Sequence, residues 1–207
     1  RRIFLADAKS IFDGIINAGE QFDFTLCNPP FYAMGNDGQR RVPSPANADN
    51  AIAVGAVDDK DTHLRDDDEI ASYSNWGPRD DDGDSDDWDE LKPTVTAPGT
   101  DIVAPEYAPP NTLPFGDASL ADNAYQELDG TSMATPHVAG LIAVMLQKDP
   151  NLEPDEVRLT LESSSEFKGQ VTHPELSNSW NEKYGFGMVD ASMWIDGPRA
   201  REWVQVQ

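Results

Sequence analysis

The chain of 207 residues has the length of one ordinary domain and carries a formal net charge of −23, from 38 acidic and 15 basic side chains. This acidity, with no stripe of lysine or arginine, argues against nucleic acids and anionic membranes as partners, because binding to either depends on positive charge. No apolar run reaches the roughly 20 residues of a membrane span. The single cysteine, Cys27, allows no intrachain disulfide.

Apolar periodicity in the first part of the chain predicts one helix and two strands. Apolar residues recur at helical spacing from Ala8 to Ala18, and Gly19 is placed to end that helix. A short strand is expected from Phe22 to Leu26. The run from Ala51 to Val57 is typical of a strand that is buried on both faces.

The second half of the chain predicts one more strand and two helices. Asp101 to Ala104 reads as a weaker strand. A strong helix is expected after Gly130, with apolar residues at helical spacing and an end near Lys148. Another helix is expected from Pro154 to about Ser163, since proline suits a first helical position. This alternation favours an α/β fold with a largely parallel sheet.

The negative charge is concentrated between residues 58 and 90, which hold 15 acidic and three basic side chains. The densest part, residues 79–90, has few apolar residues, and we interpret it as a solvated loop. A calcium loop is the alternative, because clustered carboxylates suit a hard cation. The spacing does not fit an EF-hand, which would have Pro78 at its first position and Asp89 at its twelfth.

The imbalance between 26 aspartates and six lysines suggests a surface adapted to high salt, as in a halophile. Salt screens the repulsion between carboxylates. Under this hypothesis the folded fraction rises with salt concentration.

The most informative stretch is residues 130–140, with the sequence GTSMATPHVAG. Pro136 lacks an N–H and is tolerated only where a helix has just begun, so the helix is expected to start near Ser132 or Met133. The backbone N–H of a residue at such a helix mouth can bind an incoming anion, such as the oxyanion of acyl transfer. The alternative is that Ser132 only caps the helix, since serine is a favoured N-cap residue.

This eleven-residue string resembles the nucleophile motif of the subtilisin-like serine proteases (subtilases, peptidase S8). Other strings resemble family motifs in the family's order: residues 35–38 (GNDG, the oxyanion segment), 72–78 (SYSNWGP, the loop that follows), 92–99 (KPTVTAPG, a motif before a strand) and 184–191 (YGFGMVDA, the closing segment). The resemblance covers about residues 8–195. It implies a three-layer, subtilisin-like α/β fold in which residues 1–207 form the C-terminal part of one catalytic domain. The α/β-hydrolases fit less well, because Ala134 replaces the last glycine of their Gly-x-Ser-x-Gly motif.

The resemblance also implies roles for individual residues. Ser132 matches the nucleophile, and Asn36 matches the amide that binds the tetrahedral oxyanion together with the Ser132 N–H. Read without the resemblance, Asn36 is a turn residue in Gly-Asn-Asp-Gly. Ala33, Met34 and Gly35 are expected to form a wall of the pocket for the substrate side chain before the cut, where Met34 is bulkier than the small residue expected.

A serine hydroxyl needs a base that takes its proton, and none of the three histidines fits that role. His137 follows Ser132 by five residues on one helix, which places it about 140° around and roughly 7.5 Å along the axis. We interpret His137 as a structural part of the motif. His63 lacks the flanking glycines of the family's histidine, and His173, beside Pro174, is interpreted as a loop residue, so each is expected to be a surface histidine. In the family the Asp and His of the triad precede the serine. We therefore expect this chain, which starts at Arg1, to lack both and to be inactive without the N-terminal part of its domain.

These observations lead to one functional prediction and one alternative. The prediction is a serine endopeptidase that cleaves polypeptides through an acyl-enzyme on Ser132 and needs no cofactor for its chemistry. Structural calcium and secretion are implied by the resemblance alone, and no metal ligand is identified. The alternative is a non-catalytic domain of the same fold that binds cations or basic proteins through its acidic segment.

Overall fold

Strand β2 is the centre of the sheet. The computed structural model describes residues 25–27, 38–42, 44–80, 88–105 and 125–192. Within them, β2 runs over Ala51–Asp58, and its first seven residues are buried. Ile52, Val54 and Ala56 belong to the main hydrophobic core. Ala51 and Ala53 point into a second, smaller cluster, so the prediction of a strand buried on both faces is confirmed.

Three further strands pair with β2 in the described part of the chain. Strand β1 (Thr25–Cys27) runs parallel to the start of β2, and β4 (Val95–Pro98) runs parallel to its second half. Strand β3 (Glu69–Ile70) is antiparallel and pairs with the end of β2, after a short 3-10 turn at Arg65–Asp67. Strand β1 includes the last two residues of the strand expected at 22–26, whose first three residues lie outside the described part. The sheet is largely parallel as predicted.

Two strands form a separate antiparallel ribbon. Strand β5 (Ile102–Pro105) confirms the weak strand expected at 101–104, and it pairs with β6 (Tyr125–Leu128). The sequence did not indicate β6, whose residues alternate between exposed and half-buried and leave no apolar face as a signal. It also placed the motif at 92–99 before a strand, whereas that motif itself contains β4.

Both helices of the second half are confirmed. Helix α1 (Thr131–Lys148) packs on β2 and β4, and one side of it is buried. Helix α2 (Pro154–Ser164) begins with a capping box, in which the Glu153 N–H donates to the Glu156 carboxylate at 2.9 Å. The predicted α/β class is therefore confirmed. The helix expected at 8–18 lies outside the described residues, and no helix among the described residues is long and apolar enough to cross a membrane.

The acidic segment at 79–90 is not solvated throughout. Asp89 and Glu90 are only 2% and 6% exposed, and both pair with the guanidinium of Arg79. The backbone N–H of Arg79 also donates to the backbone carbonyl of Glu90 at 3.0 Å. Beside them, the Arg158 guanidinium lies 3.6 Å from the centre of the Trp88 ring. The prediction of a solvated loop is wrong for these residues, because Arg79 supplies a buried positive partner that composition alone does not reveal; residues 81–87 lie outside the described part.

Lys92 is a second buried cation in the same region. Its side chain is almost fully buried, and Nζ donates to the carbonyls of Asp49 and Ala51 at 3.0 and 2.6 Å. These bonds tie the start of β2 to the chain entering β4. Burial lowers the pKa of Lys92 to about 8, because the charged ammonium loses its hydration.

We predict that Lys92 makes the free energy of unfolding rise with pH above about 8. Between that pH and the usual lysine pKa of about 10.4, the unfolded chain holds a proton that the folded chain has lost. The free energy of unfolding therefore rises over this pH range, by up to about 3 kcal/mol in total. Denaturant unfolding at a series of pH values checks this, with Lys92→Met as the variant that cannot titrate. The exposed Lys148→Met is the control. An equal pH slope in wild type and Lys92→Met would contradict the prediction.

Candidate active site

Ser132 is an exposed residue in the first turn of α1. The helix begins at Thr131, one or two residues before the predicted start. The cap position belongs to Gly130, whose carbonyl accepts the N–H groups of Met133 at 2.9 Å and Ala134 at 3.3 Å. The alternative reading of Ser132 as the helix cap is therefore wrong, because the carbonyl that closes the first turn belongs to the glycine two residues earlier.

The first turn of α1 is held against the carboxyl ends of two parallel strands. Gly99, directly after β4, accepts the Gly130 N–H at 2.8 Å and donates its own N–H to the Val57 carbonyl of β2 at 2.9 Å. A Cβ at Gly99 would lie 2.8 Å from both the Ala56 Cβ and the Gly130 oxygen. This close approach places Ser132 at the carboxyl edge of the sheet, where open α/β sheets bind their ligands.

One side of α1 faces the core and the other leaves the serine accessible. Ala134 and Val138 are fully buried in the main core. Ser132, Pro136 and His137 are exposed. The 3.6-residue period explains this division, so burial of Ala134 and Val138 fixes the direction in which Ser132 points.

Gly38, the described residue of the motif at 35–38, lies against the motif at 72–78. Gly38 donates its N–H to the Ser72 carbonyl at 2.9 Å, and a Cβ at Gly38 would lie 2.6 Å from that oxygen. Next to it, the Arg41 N–H donates to the Trp76 carbonyl at 2.8 Å. Asn36, Ala33, Met34 and Gly35 lie outside the described residues, so their roles remain predictions.

The motifs at 92–99 and 184–191 are also joined. The Thr96 N–H donates to the Gly187 carbonyl at 2.9 Å, and the Val189 N–H donates to the Thr96 carbonyl at 2.9 Å. Gly185 has a φ of +65°, and a Cβ there would lie 2.4 Å from the Thr94 oxygen. Only glycine fits both requirements at this position. The closing segment therefore supports β4, which in turn carries Gly99.

The histidines occupy other environments. His137 is exposed, and its Nδ1 lies 2.9 Å from the Met133 carbonyl of its own helix; His63 is exposed in the connection between β2 and β3. His173 is half-buried, with Nδ1 2.9 Å from a Glu175 oxygen and its ring 5.8 Å from that of Trp180. A quarter of the His173 side chain is exposed in a loop, so it is a partly buried surface histidine.

Within the described residues, no group of three or more His, Cys, Asp or Glu side chains stands close enough to hold a metal ion. The alternative of a calcium loop rests mainly on residues 81–87, which lie outside that part of the chain. Structural calcium therefore remains a prediction from the family resemblance.

The fold and the serine together define an α/β domain with a candidate nucleophile at the carboxyl edge of its parallel strands. A model of the Subtilase family, peptidase S8, matches residues 30–187. This match covers most of the chain, and the chain therefore belongs to the subtilase family.

Comparison with individual proteins agrees with this assignment. The chain is 34% identical over 169 residues to "Serine protease AprX" of Bacillus subtilis (strain 168), and the match covers 80% of this chain and 34% of that protein. It is 31% identical over 159 residues to "Subtilisin BL" of Lederbergia lenta, with 77% of this chain and 43% of that protein covered. The chain thus spans about a third to less than half of these relatives.

The crystal structure of fervidolysin from Fervidobacterium pennivorans, described as a keratinolytic enzyme related to subtilisin, superposes with a TM-score of 0.59. The match has 22% sequence identity and covers 85% of this chain and 23% of that one. It shows that the described fold is the subtilisin-related α/β fold.

We predict that Gly99→Ala destabilises the protein and Gly140→Ala does not. The added methyl group at residue 99 meets Ala56 and the Gly130 oxygen, and such overpacking costs about 1–3 kcal/mol of the free energy of unfolding. At Gly140, on the exposed side of α1, a Cβ meets nothing within 4 Å. Alanine there is expected to raise the free energy of unfolding by about 0.5–1 kcal/mol, because alanine favours the helix over glycine. Urea unfolding of both variants checks the pair. Equal stability of Gly99→Ala and wild type would contradict the close packing described.

Proposed function

We propose that the protein containing this chain is a serine endopeptidase and that Ser132 is its nucleophile. The observation that carries the proposal is the exposed position of Ser132 in the first turn of α1, at the carboxyl edge of the parallel strands, inside the region that matches the subtilase family. The names "Serine protease AprX" and "Subtilisin BL" support the same reaction class.

In the proposed reaction the Ser132 Oγ attacks the carbonyl carbon of a peptide bond. The serine proton passes to a general base, a tetrahedral oxyanion forms, and the C–N bond breaks as the base returns the proton to the leaving amine. Water then hydrolyses the ester on Ser132 and releases the second product. The substrates are polypeptides.

The oxyanion is bound in this proposal by the Ser132 N–H and the side-chain amide of Asn36. A neutral donor fixed before the reaction stabilises charge that develops only in the transition state. Ala33, Met34 and Gly35 form a wall of the pocket for the substrate side chain before the cut.

The general base and the acid that orients it come, in this proposal, from another part of the protein than these 207 residues. The environment of His137 supports this, since its Nδ1 lies 2.9 Å from the Met133 carbonyl of its own helix. By itself the chain is then inactive. Secretion, structural calcium and a surface adapted to high salt belong to the same proposal.

The alternative of a non-catalytic domain that binds cations or basic proteins through the acidic segment 58–90 is less well supported. Two of the fifteen carboxylates of that segment, Asp89 and Glu90, are buried against Arg79 and are not available to a ligand at the surface. The subtilase match includes the serine motif, which that alternative leaves without a role.

We predict that Ser132→Ala in the full-length protein abolishes hydrolysis of a fluorogenic peptide, with kcat/KM reduced by at least about a thousandfold. Ser179→Ala, which removes an exposed hydroxyl far along the sequence, is the matched control and leaves the rate unchanged. Asn36→Ala is expected to lower kcat by about 10²–10³, the range known for loss of this donor in a subtilisin. Hydrolysis that survives in Ser132→Ala would refute the proposal.

A further inference from the structure

The hydroxyl of Tyr73 bonds to the turn that supports the nucleophile helix. Tyr73 lies between β3 and β4, is half-buried, and packs against the main core. Its hydroxyl donates to the Gly99 carbonyl at 2.7 Å and lies 2.9 Å from the Thr100 Oγ1. The ring and the hydroxyl therefore have separate roles, one in the core and one at the turn after β4.

The Gly99 carbonyl accepts two hydrogen bonds. One is from the Tyr73 hydroxyl and the other is from the Gly130 N–H at 2.8 Å. The Gly130 carbonyl in turn accepts the Met133 N–H at 2.9 Å. A continuous series of hydrogen bonds thus runs from Tyr73 through Gly99 and Gly130 to the peptide directly after Ser132.

A second connection joins the same two segments. The Asp101 N–H donates to the Asp129 carboxylate at 2.7 Å, one residue before Gly130. This bond keeps the two segments adjacent, but it does not reach the Gly99 carbonyl. Removal of the Tyr73 hydroxyl is therefore expected to loosen the position of the Gly130 peptide without separating the segments.

The hydroxyl keeps its proton under ordinary conditions. Burial raises the pKa of Tyr73, and the negative charge of Asp129 acts in the same direction, whereas hydrogen bonds from Thr100 and the Gly130 N–H act against them. Tyr73 therefore remains a donor to Gly99 throughout the neutral range.

We propose that Tyr73 is a positioning residue for Ser132: its hydroxyl fixes the Gly99 carbonyl, which holds the Gly130 peptide and with it the first turn of α1. This inference rests on the proposed function of Ser132. Attack on a carbonyl requires the oxygen to be held within a fraction of an ångström of its productive position, so a small displacement of this turn slows the chemical step.

The test compares Tyr73→Phe with Tyr184→Phe in the full-length protein. Each variant removes one tyrosine hydroxyl and keeps the ring. The Tyr184 hydroxyl accepts the Ile70 N–H at 3.0 Å, at the start of the connection that carries Tyr73 but not at Gly99 or Gly130. Two quantities are measured: hydrogen–deuterium exchange of peptides covering residues 129–134, and the steady-state kinetics of peptide hydrolysis.

The proposal expects Tyr73→Phe to increase exchange at residues 129–134 and to lower kcat by about threefold to tenfold with KM unchanged, the range for loss of one hydrogen bond. Tyr184→Phe is expected to change neither quantity. Unchanged exchange in Tyr73→Phe overturns the proposal, as does faster exchange with an unchanged kcat or an effect confined to KM. If wild type shows no turnover, the proposed function fails, and the exchange data alone then decide whether Tyr73 holds the turn.

Discussion

The close contact between the Gly99 backbone and the start of α1 is the constraint on which the candidate site depends. Gly99 bonds to β2 through its N–H and to Gly130 through its carbonyl, and a side chain at this position would fill the space that the helix occupies. The position of Gly99 follows from the register of β4 on β2, where Val57 lies opposite Pro98. Strand β4 is held in turn by the closing segment after α2, which needs glycine at 185. Segments separated by many residues thus combine to place one serine.

A strongly acidic protein here keeps some of its few cations inside. Arg79 pairs with the buried carboxylates of Asp89 and Glu90, and Lys92 bonds to backbone carbonyls at the start of β2. These side chains fix the described ends of the acidic segment, residues 79–80 and 88–90, against the rest of the fold. Breaking such a buried pair costs more than forming it contributes, because the remaining charge stays without compensation.

The elements with strong apolar periodicity could be predicted from the sequence, and those set by tertiary contacts could not. Strand β2 and both helices appear within a residue or two of their expected bounds, since each buries a regular apolar pattern. Strand β6 shows no such pattern. The burial of Asp89 depends on a partner, Arg79, that only the fold brings close to it. At the site, the sequence left a capping role open for Ser132 and did not indicate Gly130 as the cap, because a glycine cap has no side-chain signature.

We expect Ser132 to be the residue that becomes acylated. Treatment of the full-length protein with a fluorophosphonate, followed by mass spectrometry of its peptides, identifies the acylated residue. We predict a single covalent adduct on the Ser132 Oγ of the folded protein. No adduct is expected when the protein is denatured before treatment. An adduct on a different serine, or no adduct in a folded full-length protein, would contradict this prediction.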